Sequence, residues 1–127
     1  MKISKIAFCL ALAAMSMVAC KKDEVKPNIS GGWQGNWGFQ NDVPSFYERW
    51  SLENGGLLNA YYPDASLYAS GTWELNGDDF EAHYTTVGIA YQYIFTGTYD
   101  DSTKKITGDW RDGEDPSIGG KFVMYKQ

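Results

Sequence analysis

The sequence predicts an all-β domain, an eight-stranded antiparallel up-and-down β-barrel. Three observations predict it. From Asn28 onward, strand-sized stretches alternate with turn signals roughly every ten residues, and no helical period intervenes. A glycine, any residue, large aromatic phrase recurs six times, at Gly31–Trp33, Gly35–Trp37, Gly71–Trp73, Gly97–Tyr99, Gly108–Trp110 and Gly120–Phe122. Residues two apart share a strand face, so each phrase sets a bare backbone patch beside a ring, the small-and-large alternation that fills a narrow barrel. Lastly, the connections fall into two sets, tight polar turns and longer irregular loops, and in a meander the two sets lie at opposite ends.

The first strand spans about Ile29–Phe39, with Ile29, Trp33, Trp37 and Phe39 on one face. The second, about Ser45–Glu53, sets Phe46, Trp50 and Leu52 against Tyr47, Arg49, Ser51 and Glu53. The third, about Gly56–Tyr62, allows either Leu57 and Tyr61 or Leu58 and Tyr62 to face inward. The fourth alternates best: Leu67, Ala69, Gly71, Trp73 and Leu75 oppose Tyr68, Ser70, Thr72 and Glu74. The fifth, about Asp79–Thr86, puts Phe80, Ala82 and Tyr84 together, against Glu81, His83 and Thr85. The sixth, about Ala90–Tyr99, aligns Tyr91, Tyr93, Phe95, Gly97 and Tyr99. The seventh, about Lys105–Trp110, aligns Ile106, Gly108 and Trp110, and the eighth, about Gly119–Tyr125, aligns Gly120, Phe122 and Met124. An open eight-stranded sandwich is the structural alternative.

Asn54-Gly55, Asn76-Gly77 and Asp100 to Lys104 are the tight turns, and Asn-Gly suits a type I′ hairpin. Gln40 to Pro44, Pro63 to Ala65, Val87 to Ile89 and Arg111 to Ile118 are the longer loops. Short turns predict a closed end, with Trp33, Trp73, Phe95 and Tyr99 as packing. Longer loops predict a mouth, where binding on a rigid scaffold concentrates.

Residues 1–19 read as a lipoprotein signal peptide. A basic start, Met1 to Lys5, precedes the fourteen-residue apolar run Ile6–Ala19, which is short for a membrane-spanning helix. The run ends Met17-Val18-Ala19-Cys20, which resembles a bacterial lipobox, though Leu is more usual where Met17 stands. That resemblance implies lipidation (palmitate among the acyl chains) at Cys20, and so an outer-membrane lipoprotein of the cell envelope. Residues 20–27 are charged and carry one proline, the composition of a flexible tether. The Lys21-Lys22-Asp23-Glu24 stretch resembles the surface-export tail of Bacteroidetes-type lipoproteins, and leaves open which membrane face the domain occupies.

Residues 28–127 form the barrel domain. They hold no cysteine, so stability rests on packing, and their six Lys/Arg against fourteen Asp/Glu give a formal charge of −8. That balance excludes nucleic-acid binding through counterion release. His83 is the lone histidine, on the polar face beside Glu81, and no second His or Cys completes a zinc set. No P-loop, dinucleotide fingerprint or Gly-x-Ser-x-Gly elbow is present. The acidic run Asp109 to Asp115 lacks EF-hand spacing. No catalytic residue, metal site or cofactor is therefore expected, and the reading is of a protein that is not an enzyme. Trp37, Phe46, Tyr62, Tyr84, Tyr91 and Trp110 fall toward the loop-rich end and are the candidate ligand-binding residues.

Gly31-Gly32-Trp33 opening the first strand, followed by a meander ending Gly120-Lys121-Phe122, resembles the calycin group of lipocalins, avidins and small barrel inhibitors. Gly97-Thr98-Tyr99-Asp100 and Ile106-Thr107-Gly108 are similar to avidin segments. The domain is short for a lipocalin and no C-terminal helix follows. Where avidins carry a biotin-holding Asn two residues after the first Trp, this chain has Gly35, so biotin binding is not implied. The resemblance implies a lipocalin-like barrel that binds a small apolar or aromatic ligand at its loop-rich end. The alternative expectation is a protein-interaction or inhibitor module on the envelope using the rim loops. An enzyme pairing His83 with Glu81 is the remaining class.

Overall fold

A computed structural model describes residues 27–127, and the leader, Cys20 and most of the tether lie outside them. Eight strands follow one another: β1 Gly31–Trp37, β2 Phe46–Leu52, β3 Leu57–Tyr61, β4 Leu67–Asn76, β5 Asp79–Thr86, β6 Gln92–Asp100, β7 Lys105–Asp112 and β8 Gly119–Lys126. Each pairs antiparallel with its sequence neighbour, and β1 also pairs with β8 from Trp33↔Lys126 to Trp37↔Phe122. That last ladder closes the barrel and excludes the open sandwich. Closure leaves no free sheet edge.

The interior is filled by rings. Trp50 stacks on Phe80 with centroids 6.0 Å apart, meets Phe95 edge-on at 5.0 Å, and Phe95 meets Phe122 edge-on at 5.2 Å. These are the offset and T-shaped geometries that the ring quadrupole favours. Below them Leu52, Leu58, Ile106 and Met124 are buried, and Ile29 plugs the end, where its carbonyl accepts the Trp33 Nε1 hydrogen bond at 2.8 Å. The ring–glycine idea holds at Gly97, where Phe122 lies against the bare backbone. At Gly35, Gly71, Gly108 and Gly120 the neighbour is backbone: a Cβ on Gly35 or Gly71 would overlap the carbonyl oxygen of Val123 or His83. Those glycines serve mainly to let tightly coiled strands approach each other.

Three expectations change. The turns are not type I′. In β4–β5, Gly77 and Asp78 are the central residues and only Gly77 has positive φ, +60°, as type II′ requires. In β2–β3, Gly56 N–H bonds the Glu53 carbonyl at 3.2 Å, Asn54 keeps negative φ and Gly55 takes +92°, as type II requires. The third strand resolves to Leu58 and Ala60 inward, with Leu57 exposed. The fourth is not a uniform alternation. Ala60 pairs with Ala69 but Tyr61 pairs with Leu67, so Tyr68 is an extra residue in a β-bulge. The bulge rotates Leu67 out to solvent and turns Tyr68 in against the core.

Candidate functional site

The two ends differ as their connections do. The turns after β2, β4 and β6 close one end, with Trp33, Tyr99 and partly buried Trp73 packed there. Trp73 Nε1 donates to the Glu53 carbonyl at 3.0 Å, tying a ring to the first of these turns. Phe95 sits higher than expected: it forms part of the floor of the opposite recess.

At the loop-rich end two recesses adjoin. A central pit of about 70 Å³ is lined by Trp37, Phe39, Tyr68, Tyr84, Tyr93, Phe95, Trp110, Asp112 and Ile118. A lateral slot of about 180 Å³ is lined by Trp37, Phe46, Tyr47, Glu48, Tyr61, Tyr62 and Tyr68. Trp37 and Tyr68 are walls of both. The slot exists because β2 and β3 part company there. Their ladder runs only from Arg49↔Tyr61 to Leu52↔Leu58, so Phe46, Tyr47 and Glu48 have no β3 partner. The bulge supplies Tyr68 as the wall between slot and pit.

Five of the six sequence-selected aromatics come together here. Trp37 stacks on Phe46 at 4.7 Å and meets Trp110 edge-on at 5.2 Å. Trp110 is fixed by its Nε1 hydrogen bond to the Gly38 carbonyl, 2.7 Å. Tyr62 packs edge-on against Tyr68 at 4.9 Å, and Tyr68 against Tyr84 at 5.8 Å. Tyr91 is the exception. The sixth strand starts at Gln92, and Tyr91 stands exposed in the preceding loop, lining neither recess. His83 and Glu81 lie on the outer wall of the barrel, both exposed, with His83 Nε2 3.3 Å from the Thr72 hydroxyl.

The residue that sequence reasoning passed over is Glu48. Alternation from Phe46 through Trp50 to Leu52 places it inward, and a charged side chain in that position is easily assumed to be outside. It is 3 % exposed, and its Oε1 accepts the Tyr84 hydroxyl at 2.8 Å. Its partner across β1 is Gly35, which offers no side chain. Burial pushes the Glu48 carboxyl up to about 7, against the Tyr84 hydroxyl and the nearby Trp50 indole, which favour the carboxylate. Trp50 Nε1 itself is buried and meets no acceptor in hydrogen-bonding geometry. Burial first, then the Glu48 charge, raises Tyr84 well above the ordinary tyrosine value, and burial raises Tyr68 and Tyr93 as well. All three hydroxyls stay neutral around Glu48.

Among the described residues no group of three or more His, Cys, Asp or Glu side chains is arranged to hold a metal ion. The fold and mouth define a closed eight-stranded antiparallel barrel, compatible with a calycin-like architecture, whose aromatic recess contains one buried carboxyl. No protein-family model matches the sequence, and no curated protein does.

Proposed function

We propose that the chain is a lipid-anchored envelope protein whose barrel binds a small apolar or aromatic molecule at its mouth. The observation that carries this reading is the pair of adjoining recesses walled by Trp37 and Tyr68. Concave, largely aromatic surfaces with a few polar groups suit small ligands. The slot is close to the roughly 150 Å³ engineered cavity that takes up benzene, whereas the pit is about half that size. One aromatic ring is thus the scale of ligand expected. The anchor rests on the leader and Cys20, and residues 1–26 lie outside the described structure.

Residues 27–127 contain the eight strands of the closed barrel and the core that they enclose, so they serve for solution work. Titration with benzyl alcohol should perturb Trp fluorescence saturably, and Trp37→Ala should weaken it about tenfold, as loss of a shared wall implies. An unsaturable response would overturn the reading. For the anchor, Cys20→Ser should abolish palmitate incorporation and release the protein from membranes.

A second reading is favoured by the rim. Val43, Val87, Ile89 and Ile118 are all exposed on loops at the same end, Val43 at 82 % and Ile89 at 73 %. Apolar loop tips around one opening suit a protein-interaction or inhibitor module. A single envelope partner captured by the barrel, and lost from the Val43→Ser/Ile89→Ser double variant with ligand binding intact, would favour it.

A further inference from the structure

Among the described residues, Glu48 and Asp112 are the only charged side chains lining the two recesses, and no Lys or Arg lines either. Arg49 and Arg111 alternate to the outside of β2 and β7, where both are exposed. Among the described residues Glu48 is thus a buried carboxyl with no counter-charge. A buried ion of this kind is costly unless something pairs with it. One oxygen, Oε1, is held by Tyr84, and among the described residues no donor meets Oε2. Yet Oε2 is not fully sealed from solvent, and Glu48 is one of the residues that line the slot. Trp37, Tyr62 and Tyr68 line the same slot, and an aromatic ring attracts a cation over its face through the ring quadrupole.

The geometry points to a cationic ligand: an ammonium group on a body about one aromatic ring in size, its charge against Glu48 and its apolar part between Trp37, Phe46, Tyr62 and Tyr68. This inference rests on the proposed small-ligand mouth and specifies the chemical class that it takes. An aromatic surround alone would accept a neutral ring. A buried, unpaired carboxyl at its base makes a neutral ring the poorer fit, because the carboxylate must then stay desolvated without a partner. The domain's formal charge of −8, from six Lys/Arg and fourteen Asp/Glu, also favours approach of a cation.

The groups facing Glu48 are Tyr84 from β5, Tyr68 from β4, Tyr93 from β6 and Trp50 further along β2; Tyr47 of β2, Tyr61 of β3 and Tyr62 just after it line the same slot, β1 presents Gly35, and Asp112 of β7 lines the pit. The tyrosines remain neutral across the accessible range, so the pH response of cation binding follows Glu48.

The test uses residues 27–127 and three probes of one size: benzylamine, benzyl alcohol and benzoate, followed by Trp fluorescence and calorimetry. At about pH 8 benzylamine should bind at least about tenfold more tightly than benzyl alcohol, and benzoate more weakly than both. Lowering the pH from about 8 to about 5 should weaken benzylamine about a hundredfold as Glu48 takes up its proton, and should not weaken benzyl alcohol, which no longer has to leave a carboxylate desolvated. Glu48→Gln should erase the preference for the amine. Should that variant not fold, Tyr84→Phe and the pH profile of the unsubstituted chain carry the test. Tyr84→Phe removes a donor that favours the carboxylate, so the midpoint of the benzylamine profile should move to higher pH. Equal affinity for benzylamine and benzyl alcohol overturns the cationic class and leaves the small-ligand mouth standing. Benzylamine binding that strengthens toward acid pH, or a preference for benzoate at about pH 8, overturns it likewise. Failure of all three probes to bind overturns both.

Discussion

At the scale of single residues, Glu48 governs how stability responds to pH. Its folded-state value, about 7, stands above the ordinary 4.5. Between those values the folded protein holds a proton that the unfolded chain has released, so stability falls as pH rises. The contribution is fully present below about 4.5 and lost as pH passes 7, a change of about 3 kcal/mol. The turn aspartates act in the opposite direction. Hydrogen bonds from the Ser66, Ser102 and Ser117 side chains lower Asp64, Asp100 and Asp115, and one from Lys104 lowers Asp101; this stability is lost in acid. The melting temperature should therefore peak in mildly acidic buffer and drop toward pH 8. Glu48→Gln should flatten the alkaline limb and leave the acid limb in place. A steep alkaline limb in that variant would refute the assignment.

Glycines give a second residue-scale contrast. Gly71→Ala drives a Cβ into the His83 carbonyl, backbone that cannot step aside, and should cost about 3 kcal/mol or more in urea unfolding. Gly55→Ala meets nothing within 4 Å and pays only for φ of +92°, about 1–2 kcal/mol. Near-equal costs would show that strand coiling is not what selects glycine at position 71.

At the scale of elements, the bulge in β4 and the parting of β2 from β3 build the site together. One supplies Tyr68, the other opens the slot that Tyr68 walls. Leu67→Ser should change stability by under about 0.5 kcal/mol, because Leu67 faces solvent. Tyr68→Ser should cost about 2 kcal/mol and join slot to pit. Indole should then gain on benzyl alcohol in fluorescence competition. The reverse order of costs is what an unbulged strand would give.

Much of this was legible from residue order. Eight strands, their order and the difference between the two ends follow from alternation and turn chemistry, and the Trp37, Phe46, Tyr62, Tyr84 and Trp110 cluster follows from them. Tyr68 was not legible, because period-two counting assumes an unbroken ladder and a single extra residue inverts every assignment beyond it. Glu48 was legible in principle, two residues from Phe46 and two from Trp50. What hid it is the expectation that carboxyls avoid interiors, which fails where a site needs one. Tyr91 misled in the other sense: it continues the period of β6 but precedes the first ladder pair of that strand.

For the whole molecule, the shape of the barrel separates two tasks. The ring-filled lower part, from Phe122 and Trp50 down to Ile29, carries the stability, and the upper part can stay partly open without loss of the fold. Substitutions at Phe46 or Tyr62 should then alter ligand affinity with little change in unfolding midpoint, while Trp50→Ala should lower it by about 3–5 kcal/mol.

The position of Ile29 under the floor has a consequence for orientation. The chain enters the barrel there, beside Trp33 and opposite the recesses. Between Cys20 and Pro27 lie seven peptide steps, which at full stretch reach about 25 Å. With a lipid on Cys20, the protein would stand on the bilayer like a cup on its base, its opening turned to the aqueous side. In that posture it would sample solutes drifting past the membrane.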